Sequence, residues 1–335
     1  MFLQRFLALL STRNKEFLRD RSSVSWNIIM PVLIVLGFAF TFTGDFADQY
    51  KVGIANNTGK DPGLNAFRQT KYIEFIPIND VNKAIVKVER HQLDMLIDAN
   101  THRYWVNNES PKGYLVEKIM RDSLHDDLQK QVVTGKQIRY VDWVIPGILS
   151  MNMMFSALFG VGYVIVRYRK NGMLKRLQAT PVTAFEYLGA QIVSRLLLIM
   201  VITIFIFYGT NLIIGYAMYG SHLNLFLVFA LGAINLISLG LIVAARARSE
   251  ETAGGLLNLL SWPMMFLSGV WFSLEGTNPI MQKIAEALPL THITAAARAI
   301  MIDGAGLGDV SYHLIVLLVQ TVIFLIIGAL LFRWE

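Results

Sequence analysis

"RYRKNGMLKRLQATPVTAFEY", residues 167–187, governs how the rest of the chain is read. It carries five Lys or Arg residues, is interrupted by Gly172 and is broken again by Thr180-Pro181. Met173, Leu174 and Leu177 recur at i, i+1 and i+4, which gives a short helix one narrow apolar face, with Lys175, Arg176 and Gln178 on the remainder. Gly172 breaks the chain ahead of that helix, and Pro181 ends it because proline disfavours helix in the residue before it. Thr183-Ala184-Phe185-Glu186 then has the capping-box form T-x-x-E, which starts a new helix. The segment reads as a punctuated hairpin between two long apolar runs. Two roles fit it: charge that merely orients the chain in a bilayer, or a surface for a partner. The defined start and stop favour the second.

Working outward, apolar runs of roughly 20 residues, enough to cross about 30 Å of hydrocarbon as helix, fall near 24–44, 143–166, 187–216, 223–245, 254–272 and 311–332. The 335 residues are 54% hydrophobic and 16% charged, far from soluble composition. The expected fold class is an α-helical membrane protein with six transmembrane helices. Arg5, Arg13, Lys15, Arg19 and Arg21 precede the first span, five cations lie in the 167–187 hairpin, and Arg246 and Arg248 join spans 4 and 5. The connection "YGSHLN" between spans 3 and 4 has no Lys or Arg. The positive-inside rule therefore puts both termini and the basic loops in the cytoplasm. A net charge of +6 so distributed gives no support to nucleic acid as a partner. The chain has no Cys, which excludes disulfides and thiolate metal sites. Phe2, Leu3, Phe6, Leu9 and Leu10 form a stripe at helical spacing, so residues 1–22 read as an amphipathic helix along the inner leaflet.

Residues 45–142 translocate regardless of their charge and read as a small extracytoplasmic α/β domain between helices 1 and 2 (23–44 and the span after 143). "KVGIANN", "YIEFIPI", "LDMLIDA" and "RYWVNN" are strands; "DPGLNAFRQT" and "NDVNKAIVKVERH" are helices, the latter capped by Asn79 or Asp80; and a final amphipathic helix covers about 112–134. Asp122, His125 and Asp126 stand at i, i+3 and i+4 on that last helix, a spacing open to metal ligation, though a solvated polar face explains it more simply. Nothing matches H-E-x-x-H, G-x-S-x-G or the Walker A loop, so neither an enzyme nor a resident metal is expected.

"NGMLKRLQATPVTAFEYLGAQ" is close to the G-T-L-x-x-L-x-x-T-P pattern of ABC-2 type permeases, the membrane subunits of ATP-binding-cassette exporters. "LNLLSWPMMFLSGVWFSLEGTNPIMQKIAEALPLTHITAAARAIM" resembles that family's fifth span and the segment that dips back after it. The resemblance covers essentially the whole chain, with Met173 standing for the commoner Thr and Asn171 for a charged residue. It implies a bacterial inner-membrane permease of the exporter or multidrug-efflux kind. Gly172, Met173, Leu174, Lys175, Arg176, Leu177, Thr180, Pro181 and Glu186 would then form a coupling helix and docking face, within the loop 167–186, for a separate ATPase subunit. ATP and Mg would belong to that subunit, with no cofactor in this chain. The permease would work as two copies, or with a paralogue, beside two ATPases, and spans 2 and 5 would line the pathway.

Within those spans Asn152 and Asn258 are costly in hydrocarbon unless they face protein or water. With Phe155, Met264 and Met265 they offer an adaptable surface for a hydrophobic or amphipathic drug, lipid or natural product. Arg195 is close enough to the cytoplasmic end of span 3 to snorkel. Residues 273–310 are too polar to span and read as a re-entrant outer segment, with Glu275 and His292 as outer-gate positions. The rival reading is a membrane-anchored sensor or assembly protein whose outer domain binds a partner.

Overall fold

The computed structural model describes residues 2–20, 25, 27–29, 31–36, 50–55, 67–78, 80–123, 128–135, 139–247, 249–274, 278–332 and 334. Much of the expected first span, Asn79, His125, Asp126, Arg248 and Glu275 lie outside these. The chain divides into two compact units, residues 42–140 and the remainder.

The smaller unit holds a five-stranded sheet in the order β2-β1-β3-β4-β5, with β1 Tyr50–Ala55, β2 Ile73–Ile78, β3 Met95–Asp98, β4 Arg103–Asn107 and β5 Gln129–Val133. β1 runs parallel to both β2 and β3, β3 and β4 are antiparallel, and β4 and β5 are parallel. Strand alternation sends Val52, Ile54, Met95 and Ile97 to one face, against Val116 and Met120 of the helix Pro111–Ser123. Leu96 goes to the other face, against Ala84 and Val88 of the helix Val81–Glu89. All four residues of β3 are buried, as a strand covered on both faces requires. Asp80 caps Val81–Glu89 by accepting from the backbone of Asn82 and Lys83.

The expected helix over 112–134 is corrected: the described helix is Pro111–Ser123, and Gln129–Val133 is a strand. The amphipathic pattern does run on past Ser123, but pairing with β4 outweighs local helical spacing, because it satisfies a sheet edge and lets Val133 pack with Leu96 and Trp105.

Two buried carboxylates in this unit are held in opposite ways. Burial pushes Glu117 up, yet hydrogen bonds from Lys130 at 2.6 Å and Tyr104 at 2.9 Å outweigh it and keep the carboxyl below its ordinary range. Asp94 accepts the Lys51 backbone N–H at 2.7 Å, but there burial wins and the carboxyl is raised. A raised carboxyl favours the folded state while protonated and loses that advantage as pH rises through its folded value. Asp94→Asn keeps the acceptor without the charge. It should therefore protect the β1 and β3 amides from hydrogen exchange better than wild type at about pH 8, the difference closing toward about pH 4.

The larger unit is helical: α1 Phe2–Arg19, then, numbering after Val81–Glu89 (α2) and Pro111–Ser123 (α3) of the sheet unit, α4 Tyr140–Lys170, α5 Met173–Gln178, α6 Ala184–Ile214, α7 His222–Arg246, α8 Glu250–Leu267, α9 Pro279–Glu286, α10 Pro289–Asp303 and α11 Ser311–Leu331. Among the described residues, α4, α6, α7 and α11 are long and apolar enough to cross a membrane. At 31 residues each, α4 and α6 run about 46 Å, well beyond the hydrocarbon thickness, so their basic connection projects out of it. α7 is the central helix, packed against α6, α8, α10 and α11. Exposed Leu197, Val201 and Phe205 on α6, and Leu318, Val322 and Ile326 on α11, are what helices solvated by lipid require. The 18-residue α8 spans about 27 Å, with Asn258, two glycines and Pro263 lowering its hydropathy.

Candidate functional site

The hairpin joining α4 to α6 is built as its sequence indicates. Gly172 sits at φ 68°, a left-handed conformation that lets the chain leave α4 and begin α5 within two residues. Thr180 Oγ1 donates to the Leu177 carbonyl at 2.6 Å, closing α5. Thr183 and Glu186 form a reciprocal capping box at the start of α6. Thr183→Ala should loosen that turn by about 1 kcal/mol, read as faster amide exchange at residues 184–187.

Distant residues then fix the hairpin at both ends. Arg169 Nη1 donates to the carbonyls of Ala244 at 3.0 Å and Ala247 at 2.9 Å, satisfying the C-terminus of α7. On the far side Arg5 of α1 donates to the Pro181 carbonyl and stands 3.9 Å from Glu186. α1 continues along α6 with matched contacts: Arg13 Nε to Gln191 at 2.9 Å, Ser194 to Asn14, and the Arg195 guanidinium over the Phe17 ring at 5.4 Å. Both helices ascend together, so α1 lies parallel to α6. Its Arg13 and Phe17 side faces the bundle, while Leu3, Leu7 and Leu18 are exposed.

Of the docking residues read from sequence, Lys175, Arg176, Thr180 and Pro181 are exposed, and Gly172, Met173 and Leu177 are half-buried. Leu174 is fully buried, and Glu186 is buried in its capping box. Leu174 therefore anchors the hairpin. The outward face is made by the two cations, Leu177, and Phe185, which is 77% exposed. Sequence reading passed over Phe185 as an interior letter of the capping box. It also passed over Arg5 and Arg169, whose roles depend on partners far along the chain.

A second feature is a cleft of about 620 Å³ among α1, Asn27, Pro31, Ile34, α4, Arg195 and Glu250, within the size range of ligand sites. Asn152 and Phe155 line it. Asn258, Met264 and Met265 do not: Asn258 is exposed, Met265 half-buried and Met264 buried within α8. On α4, Phe155, Phe159 and Tyr163 form an aromatic ladder, with centroids 5.9 and 5.7 Å apart. Arg195 does not snorkel as expected. It is buried, donating from Nε to the Ser156 carbonyl at 2.8 Å and from Nη2 to Ser156 Oγ at 3.0 Å. Gly160 makes this possible, since any Cβ there would overlap the guanidinium.

Of the outer-gate positions, His292 on α10 is 1% exposed. Its Nε2 donates to the Glu286 carbonyl at 2.7 Å, which leaves Nδ1 to accept from His313 Nδ1 at 2.9 Å. Nearby, Arg298 stacks on Trp143 at 3.7 Å and ties Trp143 to Gly269 through their carbonyls.

A bundle with four helices long and apolar enough to cross a membrane among its described residues, two of them joined by a basic hairpin, has the makeup of a membrane protein. Residues 92–302 match the model of the ABC-2 type transporter family, and the chain belongs to that family. It is 29% identical over 188 residues to the inner membrane transport permease YhhJ of Escherichia coli (strain K12), covering 54% of this chain and 49% of the relative. The probable multidrug ABC transporter permease YbhS of the same organism is 23% identical over 191 residues, 57% and 48% of the two chains. Nodulation protein J of Sinorhizobium fredii is 35% identical over 118 residues, 35% and 45% of the two chains. The chain spans about half the length of the curated relatives it matches.

Proposed function

We propose that this chain is the transmembrane permease subunit of an ATP-driven exporter in a bacterial inner membrane, with both termini cytoplasmic and the sheet unit outside. It would pair with a second copy or a paralogous permease. Two copies of an ABC ATPase would supply ATP and Mg. The observation that carries this reading is the hairpin. Its outward face is small and basic with two apolar residues, Leu177 and Phe185, while its back is anchored by Leu174 and its flanks are tied to α7 through Arg169 and to α1 through Arg5. A push on such an element reaches α4, α6 and α7 together, as coupling to an ATPase requires. The 620 Å³ cleft with its aromatic wall suits a hydrophobic or amphipathic cargo.

Inside-out vesicles carrying the chain and its co-expressed ATPase should accumulate a fluorescent amphiphile on addition of ATP but not ADP. Equal accumulation with both nucleotides would contradict the reading.

A further inference from the structure

Arg195 lies about 16 Å into α6, is 7% exposed, and borders the cleft. Among the described residues it forms no ion pair. Among those residues its partners are the Ser156 carbonyl and hydroxyl and the face of Phe17, and its Nη1 donates to none of them. The other cations of the cleft are differently placed: Arg13 is paired with Glu16 at 2.8 Å, and Arg167 stands 3.9 Å from Glu250. The exposed Asp20 lies at the same charged end. A buried guanidinium left without an anion is expensive in a membrane interior and marks a ligand position. Beyond Arg195 the cleft turns apolar and aromatic, along Phe159, Phe155, Met151 and Ile148.

We infer that this cleft binds an anionic amphiphile, with its single charged end paired to Arg195 and its apolar body along Phe159 and Phe155. Ser156 and Gly160 are the positioning residues: one holds the guanidinium in the cleft by two acceptors, the other leaves room for it. Neither charge alone nor apolar surface alone satisfies the site. A small free anion cannot reach the aromatic wall while pairing with Arg195, and a neutral lipid leaves the cation unmatched. The inference deepens the permease reading by naming the charge class of its cargo, and it rests on that reading only in calling the ligand cargo.

The test is equilibrium binding of a fluorescent long-chain fatty acid to the full chain in neutral phosphatidylcholine nanodiscs, with no ATP or ATPase present. Saturable binding is expected, weakened about tenfold to a hundredfold by Arg195→Gln and largely retained by Arg195→Lys. The methyl ester of the same acid should bind wild type as weakly as the acid binds Arg195→Gln, and acetate or inorganic phosphate should not compete. Phe155→Ala, which leaves Arg195 and its partners in place, should also weaken binding. It keeps the inference open to test where Arg195→Gln fails to fold. Equal affinity for acid and ester, unchanged affinity in a folded Arg195→Gln or Phe155→Ala chain, or displacement by acetate would overturn it. Binding without transport would count against the permease reading, and transport without this binding against the site.

Discussion

A chain carrying Leu174→Asp should fail to accumulate in the membrane, while Leu177→Asp should accumulate normally and lose its ATPase. The two leucines share one face of α5 in sequence but not one environment. Leu174 is fully buried, so a carboxylate there would be an unpaired charge in an apolar setting, costing about 3–5 kcal/mol or more. That is a large part of the margin of a typical domain, and proteolysis of the unanchored hairpin should follow. Leu177 is half-buried on the outward side, where Asp costs the fold about 1 kcal/mol. It would also set a negative charge on the same short helix as Lys175 and Arg176, at the surface an ATPase would meet. Membrane yield and monodispersity separate the two outcomes.

Gly160→Val should destabilise the helical unit by about 3 kcal/mol, measured as reduced thermal stability of the purified chain. The side chain enters space held by the Arg195 guanidinium and displaces it from Ser156 and Phe17. Hydrogen bonds to a charged donor are worth about 1.5–3 kcal/mol together with their desolvation, and overpacking adds about 1–3 kcal/mol. Combining Gly160→Val with Arg195→Met removes both the clash and the displaced charge. The double variant should recover at least about 1 kcal/mol relative to the sum of the single changes. Strict additivity would mean that the two residues do not depend on each other.

Local signals made the hairpin legible. Gly172, Thr180-Pro181 and the Thr183–Glu186 box each act within four residues, and each appears as read. The cap at Asp80 is legible for the same reason. What escaped was set by distant partners. Strand Gln129–Val133 has no strong strand signature of its own and forms because β4 offers an edge. Leu174 and Leu177 are equivalent on a helical wheel, and only the packing of the hairpin against the bundle distinguishes them. Arg195 carried a signal, a cation within an apolar run, but snorkelling and burial both begin from that signal. Gly160, four residues after Ser156 on α4, decides for burial by leaving space beside two acceptors. In the cleft, Asn152 and Phe155 are lining residues, and span polarity and aromatic content draw attention to both. Asn258, Met264 and Met265, grouped with them on composition alone, lie on α8 and are not among the residues lining it.

The central claim is that the hairpin couples this permease to an ATPase, and the most direct measurement is stoichiometry after co-purification. The wild-type chain, co-expressed with its ABC ATPase and solubilised in mild detergent, should elute with ATPase in equal molar amount and hydrolyse ATP. Leu177→Asp, equally abundant and monodisperse, should elute without it. Retention of the ATPase by Leu177→Asp at the wild-type ratio, or its absence from the wild-type complex, would contradict the account.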